Sequence, residues 1–351
     1  MPQPPRVVVL MLGYNDGRHL ADAIDSVLQQ TYGRYELIVI DNASQDGSVA
    51  LVRSRYPALR VIDNPANLGY ARAYKEALRV FLGDEGFDAA VLLNADVVVS
   101  PGWLEALVRS AYASDDIAFA QPKVLLWDGA ATDRINSYGN RVNYLGFGFC
   151  GHYNNRDSPA FSDDRDVAYA SGCSLMVKRQ PYFNVGELDD SFFAYYEDQD
   201  LCWRGRMMGY RAVVSAQSVM WHKYRFHAGT RNHLKTYLLE RNRLSFVFKN
   251  YAARTLVLIA PMFILMEVGI LVDAALHGYL CDKLRSYGSF LRNLPTLRAS
   301  RRTCQSRRTR TDRELLPWFS PTLELEEIDS FGLRAANRLL SAYFALVRRL
   351  I

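Results

Sequence analysis

Tyr35-Glu36-Leu37-Ile38-Val39-Ile40-Asp41-Asn42-Ala43-Ser44-Gln45-Asp46-Gly47-Ser48 decides the fold. A β-branched apolar run stops at a carboxylate, a polar turn follows, and a helical pattern begins. Tyr35 to Ile40 reads as a strand buried on both faces, as in a parallel sheet. Asp46-Gly47 supplies the turn, and Ser48 is the candidate N-cap of a helix running from Val49 to Tyr56. Those roles account for Asp46, Gly47 and Ser48. They leave Asp41 as a strand-end carboxylate with no structural task.

The same pattern repeats on both sides. Arg6 to Leu12 is another β-branched strand, broken by Tyr14-Asn15-Asp16-Gly17. Leu20, Ile24, Val27 and Leu28 then mark a helix reaching about Gln30. Leu59 to Asp63 is a third strand, Gly69 to Phe81 a helix, and Ala89 to Leu93 a fourth strand ending at Asn94-Ala95-Asp96. Strands alternating with helices imply an α/β fold, a mainly parallel sheet flanked by helices with right-handed crossovers. Ligands of such sheets bind beyond the carboxyl ends of the strands. Asp41 and Asp96 are therefore expected to face one crevice. Trp127 to Val167, rich in Gly, Asn, Asp, Arg and aromatics, reads as long loops and irregular strands, either a lid for an acceptor or a structural excursion.

From about Arg231 the pattern turns helical, with Leu234, Leu238, Leu239 and Leu244 at apolar positions and Arg241 and Arg243 between them. Thr255 to Val272 is nearly all apolar apart from Pro261 and Glu267 and is barely long enough to cross a bilayer. A membrane-embedded or re-entrant helix, an in-plane amphipathic anchor and a buried helix all remain open. The basic run that follows, from Lys283 to Arg313, favours membrane association, because such clusters attract anionic lipid on the cytoplasmic side. The last helix, about Phe331 to Ile351, is amphipathic and basic, fit for a membrane surface or for packing. We expect two domains, residues 1–230 and 231–351, the second helical and membrane-associated.

Composition narrows the class. Of 351 residues, 49% are hydrophobic and 23% charged, the balance of a globular protein. The net charge of +5 is concentrated in the Lys283–Arg313 stretch rather than spread. No nucleic-acid-binding motif accompanies that stretch, so nucleic acid is not an expected partner. Cys150, Cys173, Cys202, Cys281 and Cys304 form no CxxC pair, which argues against a zinc site or a disulfide framework and for a reducing compartment. Met1-Pro2-Gln3-Pro4-Pro5 leads straight into the first strand, so no cleaved leader is expected.

The chemistry gathers in Phe192-Phe193-Ala194-Tyr195-Tyr196-Glu197-Asp198-Gln199-Asp200-Leu201-Cys202-Trp203-Arg204. Three carboxylates within four residues, beside aromatic surface, suffer desolvation and mutual repulsion. At least one pKa rises, which suits a general base. The structural alternative is a helix N-terminus, where acids complement the dipole. Asp96, closing a strand, suits a hard divalent cation such as Mg²⁺ or Mn²⁺, which bridges phosphates. His222, after the apolar run Val219-Met220-Trp221, is either a core histidine or a further ligand. No GxGxxG follows the first strand, which argues against a dinucleotide-binding dehydrogenase.

Taken in order, these pieces resemble an inverting family 2 glycosyltransferase of the GT-A fold, in the bacterial rhamnosyltransferase-like branch. The matching segments include Val39 to Ser48, Asn67-Leu68-Gly69-Tyr70-Ala71, Leu92 to Asp96, Ser171 to Met176, Gly186 to Phe193, Glu197 to Arg204 and His222. The resemblance spans roughly residues 6 to 250. It implies that Asp41 binds the nucleotide base, with Asn15 beside it. It places Asn67, Gly69, Asn94 and Asp96 on the donor side, with Asp96 as metal carboxylate and His222 holding metal or diphosphate. Asp198 becomes the general base, with Glu197 and Asp200 supporting it or binding the acceptor. Gly13, Lys75 and Ala77 depart from the family's pattern and bear on donor fit. The implied reaction moves a sugar, rhamnose among the candidates, from a dTDP- or UDP-sugar to a glycan or lipid-linked acceptor. It would take place at the cytoplasmic membrane face, on a peripheral or monotopic protein, in cell-surface polysaccharide biosynthesis. The alternative is a non-catalytic nucleotide-sugar-binding or assembly protein of the same fold. A processive synthase is disfavoured, as the chain has no QxxRW motif and one marginal apolar segment. Oligomeric state is not legible.

Overall fold

The computed structural model describes residues 3–223, 232–324 and 331–351. The elements run β1 (Val7–Gly13), α1 (Gly17–Leu28), β2 (Tyr35–Asp41), α2 (Ser48–Arg55), β3 (Arg60–Asp63), α3 (Gly69–Leu78), β4 (Ala89–Asn94), β5 (Val97–Val99), α4 (Trp103–Ala111) and β6 (Ile117–Trp127). Next come β7 (Ala131–Ser137), β8 (Asn140–Asn143), β9 (Gly148–Cys150), β10 (Arg165–Asp166), β11 (Ser174–Lys178), α5 (Arg179–Val185), α6 (Glu197–Met207) and β12 (Arg211–His222). The chain ends with α7 (His233–Asn250), α8 (Ala253–Leu276), α9 (Leu280–Arg292), α10 (Leu294–Ser306), α11 (Asp312–Leu315), β13 (Phe319–Ser320) and α12 (Phe331–Val347).

Two compact units emerge. The first comprises Met1–Asn140, Cys150–Gly205 and Tyr210–Arg225; the second comprises Arg141–Phe149, Arg206–Gly209 and Phe226–Ile351. The boundary expected at residue 230 lies outside the described residues. Two short returns, 141–149 and 206–209, belong with the C-terminal unit. The first does so because β8 pairs with β13 and with β9, and because Gly146, at φ +91°, lets the turn approach Val247 where a Cβ would sit 2.3 Å from a methyl.

The first unit is built on one sheet, ordered β10-β12-β6-β11-β4-β1-β2-β3. Its N-terminal strands β3, β2, β1 and β4 are parallel, as their uninterrupted apolar runs require. Val7, Val8, Val9, Leu10 and Met11 are wholly buried. Each such side chain contributes roughly 1.5–3 kcal/mol on leaving water. β11 runs antiparallel to β4 and β6, which makes the sheet mixed at its middle. β12 lies parallel to β6 and bulges where Ser215 and Val219 face Pro122 and Lys123, since proline offers no N–H to the ladder.

Local departures from the sequence reading are small. Ser48 is not the N-cap: Gly47, in the left-handed region at φ +84°, takes that position, and the Ser48 hydroxyl donates to Asp46 instead. The helix expected to reach Phe81 stays α-helical to Leu78 and continues as a π-helical stretch, Arg79–Asp84. Trp127 to Val167 holds more strand than expected, because Ile135, Ser137, Val142 and Phe149 turn inward at alternating positions.

Candidate active site

Strand direction assembles the site. β1, β2, β4, β6 and β12 point the same way, so Gly13, Asp41, Asn94, Trp127 and His222 all end at one edge of the sheet. β11 is reversed, and its entry, Ser171-Gly172-Cys173, therefore lies at that same edge, where the Asn94 N–H donates to the Cys173 carbonyl (3.0 Å).

At this edge the loops after β1 and β2 are laced together. Asn15, in the left-handed region at φ +57°, donates its N–H to the Ser44 hydroxyl (3.0 Å) and accepts from the Gln45 N–H (2.8 Å). The Asp41 carboxylate is mostly buried and accepts from the Ser44 N–H (3.1 and 3.2 Å), so it has a structural task after all, that of holding its own turn. Asn42, which sequence reading passed over, is the hub. Its carbonyl oxygen accepts from the Asn64 amide and the Leu68 N–H (both 3.0 Å), and its amide donates to Asn67 (2.9 Å). Asn67 in turn accepts from the Gly69 N–H (2.9 Å). Gly69 has φ +74°, and a Cβ there would lie 2.5 Å from the Phe193 ring and 2.6 Å from its carbonyl. The structure thus gives Asn67 and Gly69 loop-shaping roles, and brings their loop against the segment that precedes Glu197.

Asp96 and His222 meet, with Nε2 3.3 Å from Oδ1. Burial pushes the Asp96 carboxyl up, but the His222 ring outweighs it and leaves the group below its ordinary value. Asp16, another residue not singled out from sequence, stands close by. Its carboxylate accepts from the Tyr14 N–H (3.0 Å), and burial, together with the charge of Asp96, raises its pKa. Only its place after the first strand could have signalled it. Among the described residues no group of three His, Cys, Asp or Glu side chains is set for a metal. One carboxylate and one imidazole do not make a protein cage. They fit a Mg²⁺ or Mn²⁺ ion that keeps water and takes its remaining oxygens from phosphates.

The carboxylate cluster opens α6. Phe193, Tyr195 and Tyr196 all have positive φ (65°, 68° and 73°), each such residue costing about 1–3 kcal/mol. The strained turn delivers Asp198 to the Ser171-Gly172 entry of β11. Oδ2 accepts from the Gly172 N–H and Oδ1 from the Gln199 N–H, both at 2.7 Å. Tyr70 donates its hydroxyl to the Gly172 carbonyl, and a Cβ on Gly172 would meet that hydroxyl at 3.0 Å and Asp198 Oδ2 at 3.3 Å. Burial raises the pKa of Asp198. Glu197 is raised well above its usual value by burial and by the neighbouring Asp198 charge. Of the three acids Asp198 alone is partly accessible. Asp200 is wholly buried and pairs with Arg204 (2.8 Å), whose guanidinium also donates to the carbonyls of Val185, Gly186 and Glu187. Of the two roles expected of Asp200, its burial against Arg204 fits support: it braces the start of α6.

Known proteins resemble this chain in sequence and in fold. A family model described as "Glycosyl transferase family 2" matches residues 8–183. An N-acetylglucosaminyl-diphospho-decaprenol L-rhamnosyltransferase of Mycobacterium tuberculosis is 28% identical over 231 residues, 61% of this chain and 75% of that relative. A low-salt glycan biosynthesis hexosyltransferase, Agl10, of Haloferax volcanii is 23% identical over 188 residues, 52% of this chain and 57% of its own. Among solved structures, GalNAc-T7 with UDP, GalNAc and Mn²⁺ superposes with a TM-score of 0.56 at 16% identity, covering 71% of this chain and 48% of that one.

Proposed function

The chain belongs to glycosyl transferase family 2 and is a glycosyltransferase, and from that premise we propose that it transfers a sugar, with L-rhamnose the first candidate, to a hydroxyl of a lipid-linked acceptor with inversion. The observation that carries this reading is Asp198, the one partly accessible member of the carboxylate cluster, held by two backbone N–H groups at the sheet edge that also bears Asp96 and His222.

In the proposed displacement the acceptor oxygen bonds to the anomeric carbon as the bond from that carbon to the diphosphate oxygen breaks. Asp198 takes the hydroxyl proton, and its raised pKa brings its basicity nearer neutral pH. Asp41 and Asn15 shape the loop for the nucleotide base. Asp96 and His222 would hold Mg²⁺ or Mn²⁺ beside the diphosphate, and such an ion neutralises charge on the leaving group. Mn²⁺ accompanies UDP in the GalNAc-T7 structure. Lipid-linkage of the acceptor rests on the mycobacterial relative, named for a decaprenol-linked substrate. A place at the cytoplasmic membrane face, with residues 1–230 catalytic and 231–351 attaching, fits such an acceptor.

The test is nucleotide release by the purified full-length protein. It is offered dTDP-, UDP- and GDP-sugars with Mg²⁺ or Mn²⁺ and then EDTA, with a membrane lipid extract as acceptor. Release from one donor that needs metal and rises with the extract supports the reading. No release, with no metal-dependent binding of any nucleotide sugar, overturns it in favour of an assembly protein on the same fold.

A further inference from the structure

α8 is long and apolar enough for a membrane span: it has 24 residues, and an 18-residue stretch of it has a mean hydropathy of 2.4. At 1.5 Å per residue it would be about 36 Å long, enough to cross a bilayer's hydrocarbon. We infer that it does not cross, and that it lies in the membrane plane as the centre of a docking face for anionic phospholipid. This deepens the membrane part of the proposed function and rests on it.

The first argument is what α8 is tied to. Glu267, past the helix midpoint, pairs with Arg243 of α7 and with Lys283 of α9 (2.8 Å), and accepts from the Tyr287 hydroxyl (2.6 Å). Glu240 of α7 joins the same pair of cations. Arg243 and Lys283 are essentially inaccessible, so these are built contacts. α7 also carries Lys235, Arg241 and Lys249, and α9 carries Asp282, Arg285 and Arg292. A spanning α8 would draw these charges to membrane depth, where each is costly.

The second argument is which side stays bare. Thr255, Ile259, Met262 and Ala274 pack inward, whereas Val257, Ile264, Leu265, Val268, Val272 and Leu276 are each at least half exposed. Those six repeat at helical spacing and form one stripe. The neighbours α9 and α12 add outward leucines seven residues apart, Leu284 with Leu291 and Leu339 with Leu346. An apolar face of this size on a soluble monomer marks an interaction surface.

The third argument is charge, which selects the occupant. From Lys283 to Arg313 there are ten basic residues and one acidic, Asp312; Lys283, Arg301 and Arg308 are engaged within the unit, and the other seven are exposed arginines. From Phe331 to Ile351 there are four arginines and no acid. A second copy would bring this same positive charge against itself, whereas an anionic bilayer offers hydrocarbon for the stripe and phosphate for the arginines.

The experiment is flotation of the full-length protein with vesicles of phosphatidylcholine alone or of equal parts phosphatidylcholine and phosphatidylglycerol. We expect binding to the anionic vesicles, weakened by salt. Arg348→Glu with Arg349→Glu should weaken it by roughly fivefold or more per arginine. Val268→Glu should abolish it while leaving thermal unfolding, and donor hydrolysis or transfer in detergent, unchanged. Cys281 is exposed just beyond α8. On protein added to sealed vesicles it should react fully with a membrane-impermeant maleimide. Protection of Cys281 until detergent is added would show a span and overturn the inference. So would equal binding to both vesicle types, or no flotation with a dimer in sedimentation equilibrium. None of these outcomes bears on catalysis, which the nucleotide-release assay reads separately.

Discussion

Asp198 and Glu197 are adjacent in sequence and opposite in circumstance. Asp198 is partly accessible and accepts two N–H bonds, which favour its anion, while Glu197 is buried beside it. Asp198→Asn keeps the shape of the side chain and one of the two N–H contacts, and removes the base. We expect kcat to fall about 10²–10⁴-fold with donor affinity retained, read by steady-state kinetics and by calorimetric titration of the nucleotide sugar. Undiminished turnover would remove Asp198 from the mechanism. Glu197 predicts the reverse. Its folded pKa is raised above the ordinary 4.5, by burial first and the Asp198 charge second, so the folded state holds the proton more tightly than the unfolded chain does. Its contribution to stability is full below that ordinary value and is lost as pH rises towards the folded pKa. Glu197→Gln, which imitates the protonated acid, should match the parent's thermal midpoint at low pH and exceed it increasingly towards alkaline pH. It should also leave the acid limb of the rate profile in place. A constant gap across pH would mean that Glu197 is ionised in the folded protein.

At the scale of elements, the loop before α3 and the turn before α6 support each other. The Ala71 N–H donates to the Phe193 carbonyl (3.0 Å), and Gly69 leaves the room for that carbonyl and its ring. Gly69→Ala should cost about 1–3 kcal/mol from the backbone alone, measured by urea unfolding. Because Phe193 must also move, kcat should fall more than KM rises. A stable variant with normal turnover would show that the two segments are uncoupled. This coupling also marks the limit of what the sequence discloses. β1 to β4, and the positions of Asp41 and Asp96 after their strands, are legible because apolar runs and turn residues are local signals. The carboxylate cluster is legible because three acids beside aromatics are locally costly. The hub at Asn42, the proximity of Asp16 to Asp96, and the positive φ of Phe193, Tyr195 and Tyr196 are not legible. Each is imposed by contacts from residues far along the chain, and an asparagine or tyrosine carries no mark of the partner it will meet. The pairing of Asp200 with Arg204 is illegible for the same reason, since only the fold chooses between its two expected roles.

For the whole molecule, the open question of sequence was what an apolar helix with an acid in it is for, and the ion cluster answers it. Glu240, Glu267, Arg243 and Lys283 join α7, α8 and α9 with two charges of each sign, all mostly removed from water. Such a cluster is costly to assemble and costlier to unbalance, because deleting one partner strands a buried charge. Glu267→Gln leaves Lys283 and Arg243 sharing Glu240 alone. We expect a loss of about 3–5 kcal/mol, which amounts to roughly 10 °C in the transition of the C-terminal unit. The balance of charge, rather than any single contact, makes the sharper prediction. Removing one member of each sign, Glu267→Gln with Lys283→Met, keeps Glu240 paired with Arg243 and should recover part of the loss, read by calorimetry on the two variants side by side. If the double variant is less stable than Glu267→Gln, the cluster acts through its individual hydrogen bonds. If it recovers, net neutrality is what lets a polar seam fasten an apolar helix along its length while the opposite stripe stays bare.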